Sequence, residues 1–175
     1  MLNEAQQKMK TAGMEARFVT GDMKKFVVDK PIDAIICACD GVNYLVNDAD
    51  LVSFFKTCWL NLKVGGVLIF DISSYNKLTN ILGNNMFYDD REDVTCLWQN
   101  KISNNMLYME LTFFIKEDHL YRRLDEEHIQ RAYKIDDVKQ LLEGAGFGFI
   151  KSYNFLTKEE ATEKNERIQF LAVKQ

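Results

Sequence analysis

Long hydrophobic runs are missing from this 175-residue chain: no apolar stretch approaches the ~20 residues that a membrane-crossing helix requires. A basic-then-apolar leader is missing too, so the opening MLNEAQQKMK does not read as a signal peptide. Cations are in deficit, with 22 Lys and Arg against 26 Asp and Glu, a net charge of −4 and a pI near 5.3. That balance argues against a general nucleic-acid surface, which needs basic residues to displace phosphate counterions. It leaves room only for a structured RNA reached through a local basic patch. CxxC pairs are absent, and no histidine stands near Cys37, Cys39, Cys58 or Cys96. Four thiols set in apolar runs fit buried cysteines in a reducing cytosol better than a metal site, so a cytoplasmic protein without metal is expected. Internal repeats and low-complexity tracts are also lacking.

What remains is the composition of an ordinary globule, 47% apolar and 27% charged, long enough for one domain with a real core. Met1, Leu2, Ala5, Met9 and Ala12 mark one face of a first helix, stopped by Gly13 but with no capping residue before it. ARFVTGD (16–22) reads as a short strand ending in a turn. The unbroken apolar run of PIDAIICACD suits a strand buried on both faces. A helix capped by Asp48 or Asp50 follows, with Leu51, Phe54, Phe55, Cys58, Trp59 and Leu62 at helical spacing. Gly65-Gly66 is expected to end it, before the strand VLIFDI. Strand, helix, strand is the pattern of a parallel sheet. From about Met86 the pattern alternates instead. Val94, Cys96 and Trp98 form one strand, Leu107 to Ile115 a second across an Asn104-Asn105 turn, and about Leu120 to Tyr133 a third. A helix returns at Ile135 to Ala145, closed by Gly144 and Gly146, and strands at 147–155 and 167–174 finish the chain. The expected fold is α/β, an incomplete Rossmann-like doubly wound sheet, mostly parallel with an antiparallel last strand. Residues 1–85 and 134–175 would form its core, and 86–133 an antiparallel β insert or cap.

Asp22, Asp40 and Asp71 end successive expected strands, and ligands of open α/β sheets bind outside those carboxyl ends. Asp also favours loops and caps, so a structural role stays open for each. The insert carries DEEHIQRAY. His128 can titrate near neutrality and act as a general base, or be a surface histidine. Arg131 can pair with a substrate carboxylate or with an acid of the insert. As a strand, the segment would put Arg131 and Tyr133 on one face and His128 on the other.

The ordered set ML-x-x-A, FVTGDM, IDAIICACDGVNYL, LKVGGVLIFDISS and LLEGAGF resembles a class I S-adenosylmethionine-dependent methyltransferase. The nearest form is the small bacterial type with an antiparallel insert after the fifth strand. The resemblance spans essentially the whole chain and implies methyl transfer to a small-molecule acceptor. By it, Asp22 would meet the adenine amine with Met23 beside the ring. Asp40 and Gly41 would border the methionine part of the cofactor. Asn43 and Tyr44 would touch the substrate together with Arg131, and His128, Tyr44 and Tyr133 would supply the catalytic groups.

One part of the pattern is unmatched. The family's glycine-rich loop and ribose-binding acid have no counterpart, since Gly65-Gly66 precedes a strand instead of following one. The expectation is therefore an N-terminally truncated form, lacking a strand–loop–helix–strand unit of at least ~30 residues. Binding of S-adenosylmethionine would then be either retained at the remaining half of its site or weakened or lost. The IDAIICAC strand would then carry an open apolar edge, and either a homodimer or a re-docked FVTGD strand would cover it. A non-catalytic fragment acting as an interaction module through that edge is the alternative reading.

Overall fold

A computed structural model describes residues 2–175. Helix α1 (Leu2–Thr11) comes first, then strand β1 (Ile32–Cys37), a 3-10 turn (Gly41–Tyr44), helix α2 (Asp48–Asn61) and strand β2 (Leu62–Ser73). A π-helical turn (Lys77–Ile81) leads to β3 (Met86–Asp90), β4 (Val94–Ser103), β5 (Met106–Glu117) and β6 (Leu120–Arg131). Helix α3 (Ile135–Gly144) and strands β7 (Phe147–Asn154) and β8 (Arg167–Lys174) complete the chain. The strands form two four-stranded sheets, β1-β2-β8-β7 and β3-β4-β5-β6.

In the first sheet β1 and β2 run parallel, while β8 lies antiparallel between β2 and β7. The antiparallel last strand thus appears as expected, but the sheet is not mostly parallel. Because β8 is inserted between two strands of one direction, only the β1–β2 ladder is parallel. Leu68, Phe70 and Ile72 of β2, with Ile168, Phe170 and Ala172 of β8, point to one face. There they meet Phe54, Phe55 and Cys58 of α2 and Val138 and Leu142 of α3. Phe70 and Phe170 stack across the ladder with ring centroids 5.0 Å apart, and their burial dominates this core.

The opposite face differs from a doubly wound sheet. Val67 and Ile69 of β2 are only half-buried there, and α1 buries none of its residues. The β1 strand, expected to be covered on both sides, is exposed at Asp33, Ala34 and Ile36, the last by 71%. Its apolar run lies at a sheet edge, paired with β2 on one side only, so Ile32, Ile35 and Cys37 pack against the core while Ala34 and Ile36 face out. Nor does residue range 16–22 form a strand. That segment is irregular, with Val19 exposed, and it does not re-dock on the β1 edge. What fixes the following residues is α2, whose Ser53 and Thr57 hydroxyls donate to the Lys24 carbonyl. The Asn61 amide closes the same contact, donating to the Phe26 carbonyl and accepting from the Val28 N–H.

Asn47, not Asp48 or Asp50, caps α2, its side-chain oxygen accepting the Asp50 N–H at 2.8 Å. Gly65-Gly66 does not end the helix, which stops at Asn61. The pair sits in an irregularity of the β1–β2 register, where Gly65 has φ +78° and a Cβ on Gly66 would lie 2.8 Å from the Lys63 carbonyl oxygen. Only glycine fits both demands. The second sheet is the antiparallel insert, with one strand, β3, beyond the three read from alternation. Asn104 and Asn105 both take positive φ in the β4–β5 turn, as a two-residue hairpin loop requires. Its inner face packs Leu107 and Met109 against Leu78 and Leu82 around the π-helical turn.

Candidate functional site

The site forms where the two sheets meet, at the carboxyl ends of β1 and β2. Directly after β1, Cys39 and Asp40 both adopt left-handed backbone, with φ of 63° and 47°. Such conformations cost a non-glycine residue about 1–2 kcal/mol each, so something must hold them. Asp71 does: its carboxylate accepts the Cys39 N–H at 2.9 Å and the Asp40 N–H at 3.0 Å. Asp71, expected at the rim with a ligand-binding and a structural role both open, is 3% exposed and spent on backbone and on Arg167. Arg167 bridges the two acids, donating from Nε to Asp71 at 2.6 Å and from its terminal nitrogen to Asp40 at 2.8 Å. Asp40 also accepts from Gln130 Nε2 at 3.0 Å and the Ser73 hydroxyl at 3.3 Å. Its carboxylate therefore joins the β1 turn to β2, β6 and β8 at once. Gly41 opens the 3-10 turn behind it, next to the Cys37 thiol. Burial, with Asp71 nearby, pushes that thiol up to about 11.

The 3-10 turn divides its side chains. Asn43, expected to touch substrate, is fully buried. Its amide donates to the Ser73 and Arg131 carbonyls and accepts the Ser73 N–H, so it ties the turn to β2 and β6. Tyr133, expected among the catalytic groups, is likewise buried and donates its hydroxyl to the Leu45 carbonyl. Removal from water raises its pKa to about 12. Arg131 pairs with Asp48 at 2.9 Å at the start of α2 and lies 4.8 Å from the centre of the Tyr133 ring. These three residues fasten the insert to the turn and are not in the cavity wall.

Tyr44 points the other way. Its hydroxyl is 3.3 Å from His128 Nδ1, and His128 Nε2 is 3.3 Å from the Glu126 carboxylate. With the ring proton on Nε2, facing the carboxylate, Nδ1 is free to accept from the phenol. Burial, then the nearby charge of Asp40, raises the Tyr44 pKa, which keeps the phenol protonated at neutral pH. Asp40, Tyr44 and His128 line a cavity of about 240 Å³ with Ser73, Lys77, Leu82, Trp98, Met109, Leu111 and Gln130.

Asp22 and Met23 lie elsewhere, in a second cavity of about 790 Å³ that they share with Val19, Phe26 and Ile32. One Asp22 oxygen accepts the Lys24 N–H at 2.9 Å, and the other is without a partner among the described residues. A free carboxylate oxygen beside a thioether and an aromatic ring fits a flat base bearing an amine, and the volume falls within the usual range of cofactor sites. Sequence reading missed Gln130, Lys77, Trp98 and Arg167. Gln130 was within reach, because it follows His128 by two positions and so shares its face of β6. Arg167 was not, since nothing local marks a strand arginine as the partner of two distant acids.

A mixed sheet with α2 and α3 on one face, a strained acidic turn at its carboxyl end and an antiparallel second sheet define an α/β fold. Comparison with known proteins makes this specific. No protein-family model matches the chain. Over 177 aligned positions it is 30% identical to the Bacillus subtilis (strain 168) protein named "Putative methyltransferase YqeM", covering 99% of this chain and 71% of that one. It is 31% identical to "Putative methyltransferase GWCH70_2453" of Geobacillus sp. (strain WCH70), covering 99% and 72%. A crystal structure of an S-adenosylmethionine-dependent methyltransferase from Clostridium acetobutylicum ATCC 824 superposes with a TM-score of 0.93 at 34% identity, over 99% of this chain and 70% of that chain. The chain belongs to the S-adenosylmethionine-dependent methyltransferases.

Proposed function

We propose that the chain serves methyl transfer from S-adenosylmethionine to a small molecule held in the cavity between the 3-10 turn and the insert. The observation that carries this reading is the Tyr44–His128–Glu126 row opening on that cavity, in a chain of this family. Asp22 and Met23 would hold the adenine end of the cofactor, and Asp40 with Gly41 would border its methionine end. The bound cofactor supplies a methyl group already activated on a sulfonium. What this chain's residues contribute is placement of the acceptor and exclusion of water. Where the acceptor nucleophile carries a proton, the Tyr44 oxygen accepts it as the phenol proton passes to His128 Nδ1, and Glu126 steadies the resulting imidazolium. Asn43, Arg131 and Tyr133 act at one remove, by fixing the turn that presents Tyr44.

Calorimetric titration with S-adenosylhomocysteine tests the cofactor half. The chain is expected to bind it, and Asp22→Ala to weaken binding about ten- to hundred-fold, the loss of one charge-assisted hydrogen bond. A folded chain that binds no S-adenosylhomocysteine, or an Asp22→Ala variant that binds it as tightly, would overturn the assignment.

The exposed β1 edge favours a second reading, an interaction module that pairs through β1 with another copy of itself. Light scattering is expected to give a dimer mass that falls to the monomer value in Ile36→Lys, a charge placed on the edge. A monodisperse monomer across the accessible concentrations would sink this reading and leave the cofactor assignment untouched.

A further inference from the structure

Strand β6 is one edge of the second sheet, paired with β5 and, among the described residues, with no strand on its other side. It runs for 12 residues without a register shift, carries no proline, and is exposed at every position from Leu120 to Glu127. Long, regular edges pair with other chains unless charge, proline or a bulge prevents it. Charge is present here, but in an order that selects a partner. Arg122 and Arg123 precede Leu124, and Asp125, Glu126 and Glu127 follow it. The strand is therefore basic on one side of Leu124 and acidic on the other.

The β5–β6 turn decides which backbone groups are free. Glu117 and Leu120 face each other across Asp118 and His119, and Asp118 takes positive φ. The pair that closes such a hairpin is hydrogen-bonded, so Leu120 and each second residue after it point their backbone groups to β5. Tyr121, Arg123, Asp125 and Glu127 turn theirs outward. In the same phase, the Arg131 carbonyl accepts the Asn43 amide from outside the sheet. An antiparallel copy can add only in registers that set these outward residues against one another. With Leu124 opposite Leu124, Arg123 faces Asp125, and Arg122 faces Glu126 on the side that carries His128. Sliding the copy by two residues sets Arg123 against Arg123 in one direction and Asp125 against Asp125 in the other. Opposite charges across a ladder stabilise it and like charges weaken it, so one register is favoured over both neighbours.

We propose that β6 pairs antiparallel with β6 of a second copy about a two-fold axis at Leu124, joining the two inserts in one continuous sheet. The contact is isologous, so it closes at a dimer. Leu124, 40% exposed in the single chain, is covered at the axis by its own counterpart. The exposed pairs Arg122–Glu117 and Arg123–Asp125 contribute little to the single chain, so exchanging them for pairs between copies costs little. Arg122 of the second copy comes to lie against Glu126, which holds His128 at 3.3 Å, so each chain adds a cation beside the other's candidate site. The pairing uses a different edge from β1 and stands independently of the methyl-transfer reading.

Light scattering on the full chain is expected to give a dimer mass that persists in Ile36→Lys. Arg123→Asp and Asp125→Arg each oppose like charges at two places across the axis, and each is expected to be a monomer. Mixed in equal amounts, these two variants again oppose unlike charges throughout and are expected to regain the dimer mass. Arg123→Asp combined with Asp125→Arg in one chain is expected to do the same. Register is read with oxidised glutathione as the oxidant. Leu124→Cys, which faces itself, is expected to give a covalent dimer, and Leu120→Cys, which does not, is expected to give none. A parent chain that stays monomeric at every accessible concentration would overturn the proposal. So would a dimer that survives Arg123→Asp, a mixture that stays monomeric, or Leu124→Cys cross-linking no faster than Leu120→Cys.

Discussion

Arg167→Ala is expected to destabilise the protein by about 3 kcal/mol, the lower part of the range for leaving a buried charge without its partner. The lower part applies because the Arg167 and Asp40 side chains keep 30% and 27% of their exposure, whereas Asp71 keeps 4%. Asp71 is the residue that suffers. It would still accept the Cys39 and Asp40 N–H groups, but its charge would face a dry interior, and Asp40 would stand beside it with the same sign. Against a total stability of roughly 5–15 kcal/mol, that loss is large. Urea unfolding should show it as a lower midpoint at unchanged slope. Arg167→Lys is expected to recover only part, since one ammonium cannot reproduce a guanidinium that reaches two carboxylates from two nitrogens. Asp71→Asn should also be costly, because an amide places its own N–H₂ against backbone donors. Combining it with Arg167→Ala should cost less than the sum of the two, a coupling that reports direct contact. A midpoint for Arg167→Ala within about 0.5 kcal/mol of the parent would mean that the bridge does not hold the turn.

The contrast between Asp71 and Arg167 shows what could be read before the fold was known. Asp71 stood out because it follows the apolar run VLIF, and end-of-strand acids draw attention in α/β sheets. Its role did not follow from that, because a rim acid and a buried clamp look alike until the partner is known. The partner lies on β8, 96 residues away in sequence. It is adjacent only because β8 enters the sheet between β2 and β7, a choice that apolar alternation does not encode. By comparison α2, α3, β8 itself and the Asn104-Asn105 turn were legible from local signals, since each rests on periodicity or positive-φ tolerance. Local signals misled where burial depends on neighbours. IDAIICAC has the composition of a covered strand and lies at an edge, and FVTGD has the residues of a strand and no ladder to join.

The candidate site divides along the same line. His128 and Tyr44, which are 84 residues apart, were each singled out separately, and the structure puts them within 3.3 Å. Asn43 and Tyr133 belonged to the same motifs, but their side chains turn inward, because each 3-10 or extended turn must send some residues to the core. The motifs thus fall within a residue or two of side chains that line the cavity, and backbone geometry decides which of them reaches it.

Asn43 carries the second large expected effect. Asn43→Ala removes three hydrogen bonds at a fully buried position, two made by its N–H₂ and one by its carbonyl. Left behind are the Ser73 N–H and carbonyl, both sequestered from water, and the part-buried Arg131 carbonyl. Unsatisfied buried groups cost about 1–3 kcal/mol each, and with partial relaxation a total near 3 kcal/mol is expected. Asn43→Asp should be no better, because a carboxylate would meet the Ser73 and Arg131 carbonyls with like polarity. The functional consequence is separable from the loss of stability. Because Asn43 fixes the turn next to Tyr44, the Tyr44–His128 contact should loosen even in the folded fraction. The His128 ring signals, followed by NMR at a temperature where the variant is still folded, are expected to shift towards those of Tyr44→Phe. Ring signals that stay at their parent positions in a destabilised Asn43→Ala would confine the residue to stability and remove it from the positioning of the cavity.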